Sequence, residues 1–177
     1  VEVASYAKGE VGGSVASLSC DLVAMSGGWS PVLHLFAQSG GKAHWHDEKA
    51  CFVPGKGMQA EVSVGAAAGE FGLARGVRLA IDAGVEAVHA LGFKAAARPA
   101  SPQVAEIKES KMLPLWLVGS QERASRGPKQ FVDFQNDVSA ADILLAAREG
   151  FESVEHVKRY TAMGFGTDQG KLGNING

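Results

Sequence analysis

Two basic side chains and a glycine-rich turn near the C-terminal end could form a phosphate site. The turn spans residues 164–171, with the sequence Gly-Phe-Gly-Thr-Asp-Gln-Gly-Lys, and Arg159 precedes it. Glycine turns present free backbone N–H groups, and with Arg159 and Lys171 these groups could bind a phosphate through charge-assisted hydrogen bonds. The structural alternative is that Asp168 and Gln169 cap helix ends and hold the turn together. The residue types alone leave both interpretations open.

A second candidate site lies where small residues lead into a long helix. Residues 64–73 read Val-Gly-Ala-Ala-Ala-Gly-Glu-Phe-Gly-Leu, between a predicted strand at residues 60–64 and a predicted helix at residues 70–91. A helix N-terminus carries partial positive charge and unpaired N–H groups, which suit a dinucleotide pyrophosphate. The alternative is that these small residues only allow the helix to pack tightly on a sheet.

Three other segments carry weaker signals. Residues 20–31 form an apolar run that ends in a Gly-Gly turn, where a backbone could approach a dinucleotide, or where a strand simply ends. His34 lies in a helix-like apolar segment, where a buried, hydrogen-bonded histidine is the simpler interpretation. His44 and His46, with Asp47, have a short metal-ligand spacing, but an exposed loop is the favoured interpretation.

Composition excludes several classes of function. The chain has 177 residues, a formal net charge of −2, 46% hydrophobic and 20% charged residues, as expected for a folded domain. No excess of positive charge favours nucleic acid or an anionic membrane surface. No apolar run approaches the roughly 20 residues that a membrane-spanning helix needs. Cys20 and Cys51 follow no metal or redox spacing, which predicts buried, reduced thiols in a cytoplasmic protein.

The hydrophobic pattern predicts which elements position these sites. Strands at residues 1–4 and 15–18 flank a glycine-rich turn at residues 9–13, and residues 18–25 suit a buried parallel strand. The helix at residues 70–91 has an apolar face that we expect in the core. The abrupt start and end of the sequence predict a piece of a longer polypeptide.

The last 47 residues predict a small module with two helices, residues 131–177. Ser139 and Asp142 have the spacing of a capping box, and Gly150 suits the end of that helix. Ser153 is placed to begin the second helix. Before this module, residues 98–130 contain four prolines and predict a linker, with an extended apolar segment at residues 113–118.

The module resembles the small helical domain of bacterioferritin-associated ferredoxin, in the form found in alpha subunits of heterotetrameric sarcosine oxidase. The residues that carry the resemblance are FVDFQNDVSAADILLAAREGFESVEHVKRYTAMGFGTDQGK. Iron–sulfur members of this superfamily place four cysteines at positions that fall here on Asp133, Gln135 and Asp168 and near Gly173. A carboxylate, an amide and a glycine cannot replace four thiolates, so the sequence predicts no iron–sulfur cluster.

The same resemblance implies a fold and a division into domains. It implies an α/β fragment: the C-terminal portion of a two-dinucleotide-binding Rossmann-like fold, followed by a small helical domain related to bacterioferritin-associated ferredoxin. Residues 1–97 are then a partial NAD-binding domain, residues 98–130 a linker, and residues 131–177 the helical domain.

Cofactors and partners also enter as implications of the resemblance. In related flavoproteins the turn at residues 64–73 carries an aspartate that binds FAD, and Ala66 stands there, as in subunits that bind NAD instead. FMN, at the interface of the alpha and beta subunits of the parent complex, would approach the turn at residues 167–171, and the parent complex would also contain FAD. The expected cofactor-binding residues are Gly65, Ala66, Gly69, Phe71, Leu73, Gly170 and Lys171, with none expected to be catalytic and none a metal ligand.

The implied function is that of part of an oxidoreductase complex. The parent would demethylate sarcosine to glycine, pass the one-carbon unit to tetrahydrofolate and form hydrogen peroxide, with beta, gamma and delta subunits as partners. The isolated piece is expected to be inactive. Two alternatives remain open: a subunit of a related amine or opine dehydrogenase, and an interaction module without a cofactor.

Overall fold

The chain forms a mixed α/β structure of short local elements. The computed structural model describes residues 1–94, 97–105, 107 and 111–177. Two compact units are present: Val1–Val23 joins Leu113–Gly177 in the first, and Ala24–Met112 forms the second. The predicted linker, residues 98–130, is therefore divided between the two units.

The first unit begins with an antiparallel hairpin of β1 (Glu2–Ala7) and β2 (Glu10–Ser17). Its turn is at Lys8 and Gly9, whose φ angles are 54° and 85°. Positive φ at both central residues suits the twist of a two-residue hairpin. The two predicted strands are thus confirmed, but glycines 12 and 13 lie within β2 and not in the turn. Tyr6 Oη donates a hydrogen bond to the Pro114 carbonyl at 3.0 Å, which ties the hairpin to the rest of this unit.

The helical module completes the first unit, and it matches the predicted pattern closely. It contains β5 (Phe131–Asp133), β6 (Val138–Ser139), α4 (Ala140–Arg148) and α5 (Val154–Thr161). Its core includes Val138, Ala146 and Met163, which are all nearly inaccessible to solvent. Before it lies α3 (Gln121–Arg126), so the predicted linker contains a helix. Residues 113–118 form no strand.

The start of α4 confirms the predicted capping box. The Ser139 N–H and Oγ–H both donate to Asp142 Oδ2, at 2.8 and 2.7 Å. Asp142, the third residue of the helix, thereby accepts the N–H of the N-cap residue, which is the side-chain half of a capping box. At the other end, Gly150 has φ 91°, and the Phe151 N–H donates to the Ala146 carbonyl at 3.1 Å. The helix therefore ends where the sequence predicts.

The second unit contains a hairpin and a long helix. Its elements are α1 (His34–Gln38), β3 (Ala43–His46), β4 (Cys51–Pro54), a 3₁₀ turn (Gly65–Ala68) and α2 (Leu73–Ala90). Strands β3 and β4 pair antiparallel, with Trp45 and Phe52 directly opposite and their ring centroids 5.2 Å apart. Phe36, Cys51 and Val53 are its buried apolar side chains.

Several strand predictions are wrong. Residues 18–25 and 60–64 form no strand, and Leu22 is 82% exposed, so the expected buried parallel strand does not occur there. All three sheets of the described residues are two-stranded and antiparallel. An apolar run becomes a buried strand only where neighbouring strands complete its hydrogen bonds and cover both faces. At His44 and His46 the sequence favoured an exposed loop, but these residues lie in β3.

The apolar face of α2 is only partly covered. Val77, Ile81, Val85 and Val88 are half-buried, whereas Leu91, just after the helix, is 74% exposed. The prediction that this face lies in the core is therefore correct only in part.

The two cysteines differ in burial. Cys51 is buried, as predicted, whereas Cys20 is exposed. Burial raises the pKa of the Cys51 thiol, against a smaller opposite effect of Lys49.

Candidate functional site

A cavity of about 480 Å³ lies at the N-terminal end of α2. Its walls come from the turn before α2, from the first turns of the helix and from a later loop: Glu70, Phe71, Gly72, Leu73, Ala74, Arg75, Arg78, Val104, Ala105 and Ile107. Ligand cavities in proteins commonly measure about 300–1,000 Å³. This one has the size and the charged groups to hold part of a nucleotide.

The entrance of α2 offers donors to that cavity. The helix has 18 residues, and its N-cap, Gly72, has no side chain that could bond the N–H groups of the first turn. Such N–H groups favour an anion, and the helix dipole adds to the attraction. The Arg75 Nε also contacts Glu70 Oε2 at 2.8 Å, with the glutamate side chain much less exposed than the arginine. The cavity therefore already contains one paired carboxylate.

A second cavity, of about 410 Å³, shares two of these walls. Glu70 and Phe71 line both cavities, and the remaining lining residues of the second are Gly28, Trp29, Glu48, Lys49, Gly69 and Met112. Trp29 is 77% exposed, so its indole ring is available on this surface. The lining of the second cavity is more aromatic than that of the first. Each lining has three charged side chains, which sum to +1 in the first cavity (Arg75, Arg78 and Glu70) and to −1 in the second (Lys49, Glu48 and Glu70).

Close packing around Gly69 fixes the wall between the hairpin and α2. Gly69 has φ 73°, and a Cβ there would lie 2.8 Å from Val53 Cγ1. The Lys49 ammonium donates a hydrogen bond to the Gly69 carbonyl, which holds that charge at the edge of the second cavity. Only glycine suits this position, because the backbone is left-handed and the space is filled.

The predicted residues of this region do not all reach the cavities. Gly69, Phe71 and Leu73 line them, as expected, whereas Gly65 and Ala66 line neither. Gly65 instead packs beneath α2, because a Cβ at Gly76 would lie 3.5 Å from the Gly65 Cα. This close contact joins the turn to α2 itself, whereas the alternative offered by the sequence was packing of the helix on a sheet.

Several lining residues were not expected from the sequence, among them Trp29, Arg75 and Arg78. Trp29 belongs to the Gly-Gly turn whose nucleotide interpretation was weak, and Arg75 and Arg78 suited simple solvent exposure. The i, i+3 spacing of the two arginines in the first turns of α2 was the signal that could have indicated them.

A third cavity, of about 270 Å³, lies in the helical module. It brings together all four positions that the resemblance assigned to cluster ligands: Asp133, Gln135, Asp168 and Gly173. Gln135 connects its two sides, because Gln135 Nε2 donates to Thr167 Oγ1 at 2.9 Å and the Asp168 N–H donates to Gln135 Oε1 at 3.0 Å. Side-chain hydrogen bonds thus join the segments that would surround a cluster.

Asp133 is the buried centre of this arrangement, with 4% of its surface exposed. Its Oδ2 accepts hydrogen bonds from the Gly164 N–H at 2.7 Å and from Asn136 Nδ2 at 3.3 Å. Its Oδ1 accepts from the Gln135 and Asn136 N–H groups, at 2.9 and 3.2 Å. The Gly164 N–H is the main reason why the pKa of this carboxyl lies below its usual value, despite the opposing effect of burial. Asp133 therefore serves as a charged structural anchor.

The donor set at the third cavity does not fit an iron–sulfur cluster. Thiolates hold such clusters, and these positions offer carboxylates, an amide and a glycine. The residues that the structure describes also contain no group of three or more His, Cys, Asp or Glu side chains placed to bind a metal ion.

The turn at residues 167–171 is more internally bonded than expected. The Asp168 N–H is bonded to Gln135, and the Lys171 N–H donates to the Asp168 carbonyl at 3.1 Å. The Asp168 carboxylate accepts from the Leu172 N–H at 3.3 Å, so it caps the following turn. Gly170 is buried against Asn174. Two predicted free N–H groups are therefore already occupied.

The basic groups near this turn differ in their availability. Lys171 is exposed. Arg159, by contrast, donates to both the carbonyl and the carboxylate of Glu155, at 2.8 and 2.7 Å. A phosphate at the turn would therefore rely on Lys171, because Arg159 is engaged within α5.

Comparison with known proteins first defines the class of the helical module. Residues 127–177 match the family model of the sarcosine oxidase A3 domain. This match covers β5, β6, α4, α5 and the turn that follows them.

The similarity extends over nearly the whole chain. The sarcosine oxidase alpha subunit of Rhizobium meliloti (strain 1021) is 42% identical over 173 residues, which cover 93% of this chain and 16% of that subunit. The alpha subunits of Corynebacterium sp. strains P-1 and U-96 are each 34% identical over 165 residues, covering 92% of this chain and 17% of theirs. The predicted resemblance to the sarcosine oxidase alpha subunit is therefore confirmed, and the chain corresponds to one segment of such a subunit. It spans about a sixth of the length of these relatives. No helix of the described residues is long and apolar enough to cross a membrane.

Proposed function

We propose that this chain contributes nucleotide binding and subunit-interface structure to a sarcosine oxidase complex. The single observation that carries the proposal is the similarity to alpha subunits over 93% of the chain. The proposed parent reaction demethylates sarcosine oxidatively to glycine, with tetrahydrofolate as one-carbon acceptor and hydrogen peroxide as a product. Beta, gamma and delta subunits, a heterotetrameric assembly and a cytoplasmic location belong to the same proposal.

The proposal includes the finer fold and its domains. Residues 1–97 would belong to a Rossmann-like nucleotide domain, residues 98–130 would connect it, and residues 131–177 would be the cluster-free helical domain. The assignment of residues 131–177 is supported by one cavity that is lined by Asp133, Gln135, Asp168 and Gly173. These are the positions that would surround the iron–sulfur cluster in the related domains.

The region from Gly65 to Leu73 is the proposed NAD site. The uncapped entrance of α2, the lining residues Gly69, Phe71 and Leu73, and the cavity of about 480 Å³ support it. NAD can carry a hydride in enzymes, but the proposed reaction passes its electrons to oxygen, so this site is proposed only to bind the nucleotide. The residues of this chain would bind and orient it, and none of them is proposed as a catalytic residue.

Leu73→Asp in the intact subunit tests this site, because Leu73 lines the larger cavity at the entrance of α2, whereas Ala66 does not. A new carboxylate there would repel the pyrophosphate by about 1 kcal/mol at a separation of about 4 Å in water, a roughly fivefold loss of NAD affinity. Leu73→Asn is the matched control, since it adds a polar group without charge. Calorimetry that gives equal NAD affinity for all three proteins would remove the entrance of α2 from the site.

Lys171 carries the proposed contact with FMN. Gly170 and its neighbours form a bonded turn, so the exposed Lys171 ammonium is the group that fits a phosphate. Losing a charge-assisted hydrogen bond costs about 1.5–3 kcal/mol, whereas an isolated surface charge contributes about 0–1 kcal/mol. Lys171→Ala should therefore lower the FMN content of the assembled complex, and Lys171→Arg should retain most of it.

The exposed Lys129, just before the same module, provides the control. Lys129→Ala should leave FMN content unchanged. Full FMN occupancy and an unaltered flavin spectrum in Lys171→Ala would contradict the contact between Lys171 and FMN. The turn would then have only a structural role, in which Asp168 caps the following turn and Gln135 bonds to Thr167 and Asp168.

The two alternatives are separated by direct binding measurements. A subunit of a related amine or opine dehydrogenase would oxidise a different secondary amine. An interaction module would bind neither NAD nor FMN. Titration of the intact subunit with NAD, and of the complex with candidate amines, distinguishes all three functions.

A further inference from the structure

The two cavities of the second unit together resemble the two halves of a nucleotide. The larger cavity contains Arg75 and Arg78 and the entrance of α2, whereas the smaller one presents Trp29 and Met112. Phe71 and Glu70 line both, so a ligand in one cavity is adjacent to the other. A cavity whose lining has a net positive charge, next to one with a more aromatic lining, suits a molecule with a diphosphate and a planar base.

We propose that the smaller cavity binds the aromatic base of the nucleotide, with Trp29 as the stacking residue and Phe71 at the passage to the diphosphate. This placement rests on the proposed NAD function and specifies how the ligand lies. The diphosphate then occupies the larger cavity, beside Arg75 and the first N–H groups of α2. The base lies on the other side of Phe71, in the smaller cavity, whose volume is about 410 Å³.

The exposure of Trp29 supports this assignment. A tryptophan that remains 77% exposed leaves a large apolar ring in water, and burying such a ring against a flat partner is favourable. Every nucleobase has a π face, so stacking on tryptophan does not require a particular hydrogen-bond pattern. The Lys49 ammonium, held by the Gly69 carbonyl, lies at the edge of the cavity, where it can donate to a ribose or base oxygen.

Carboxylates in the walls suit the ribose hydroxyls of a nucleotide. Glu70 is paired with Arg75, and Glu48 Oε1 lies 3.2 Å from the Lys111 ammonium. Ribose hydroxyls can donate hydrogen bonds to the oxygens of these carboxylates.

The test uses the intact subunit and three ligands: NAD, AMP and inorganic pyrophosphate. Trp29→Leu removes the stacking face, and Trp29→Phe keeps a flat ring. Loss of base stacking should weaken NAD and AMP binding about 5- to 150-fold in Trp29→Leu, while pyrophosphate affinity stays within about twofold. Trp29→Phe should bind NAD close to wild type. Trp116→Leu is the control, because Trp116 is also substantially exposed but belongs to the first unit.

Tryptophan fluorescence provides a second readout. Adding NAD should quench a component of the emission that is absent in Trp29→Phe. If the wild-type subunit binds NAD but Trp29→Leu binds it equally well, the base placement is overturned and the NAD site survives. If the wild-type subunit binds no NAD at all, the proposed NAD function fails, and the placement fails with it.

Discussion

Replacing Asp133 by asparagine should loosen the helical module from its centre. The Oδ2 atom of Asp133 accepts the buried Gly164 N–H at 2.7 Å. If Asn keeps its oxygen on the side of Gln135 and Asn136, its amide nitrogen meets the Gly164 N–H, and two donors then face each other. A hydrogen bond to a charged group contributes about 1.5–3 kcal/mol, so we expect Asp133→Asn to lower local stability by about 2–3 kcal/mol.

Hydrogen exchange of the intact subunit measures this effect where it occurs. A loss of about 2–3 kcal/mol corresponds to roughly 30- to 150-fold faster exchange through local opening. The acceleration should appear in peptides that contain Gly164 and β5, with much less change in peptides of α2. The second unit, Ala24–Met112, thus serves as an internal reference in the same sample.

Asp137→Asn is the matched control for the same chemical change. Asp137 is exposed and has φ 54°, a backbone conformation that asparagine adopts readily. Its replacement should change the free energy of local opening, as measured by hydrogen exchange, by less than about 0.5 kcal/mol. Equal exchange in Asp133→Asn and Asp137→Asn would refute the view that the buried carboxylate anchors the module.

Three further predictions concern the same module. Asp142→Ala removes the acceptor of both Ser139 donors and should destabilise the start of α4 by about 1 kcal/mol, measured by exchange of its first-turn amides; unchanged exchange would contradict the capping role. The Gly164 N–H lowers the pKa of Asp133 and the Ser139 hydroxyl lowers that of Asp142, so these carboxylates bind fewer protons when folded. Their stabilising effect is complete when the pH is above the carboxyl pKa of the unfolded chain, about 3.9, and it is lost as the pH falls through the lower pKa values of the folded state. Acid should therefore loosen the module, and Asp133→Asn should make its stability depend less on pH. Finally, anaerobically purified subunit should contain no stoichiometric iron, by metal analysis and visible absorbance, because the four positions offer no thiolate; a cluster spectrum would overturn that reasoning.

Local signals explain why the helical module could be predicted from the sequence. The capping box of Ser139 and Asp142 and the stop at Gly150 act within a few residues, and the structure reproduces both. The length of α2 also followed from its apolar period, with Leu73–Ala90 lying inside the predicted range. Interactions between near neighbours in the chain determine these features, so the sequence contains most of the information.

Strands and cavity walls depend on distant partners and were predicted less well. Residues 18–25 have a strand-like composition but no neighbouring strand in the described chain. Trp29 and Glu70 face one cavity although 41 positions separate them, and the sequence carries no signal for that proximity. The ion pair of Glu70 with Arg75 likewise depends on how the turn before α2 folds back on the helix.

The first unit is assembled from both ends of the chain, and this has a consequence for synthesis on the ribosome. The Tyr6 hydroxyl and the Pro114 carbonyl that it contacts are 108 residues apart. At about 5–20 residues per second, roughly 5–20 s pass between the emergence of one and of the other. Closing such a loop costs about 4 kcal/mol of chain entropy beyond a constant. During that interval residues Ala24–Met112 are translated, whereas the hairpin of β1 and β2 cannot yet make its contact with Pro114, because that residue does not yet exist.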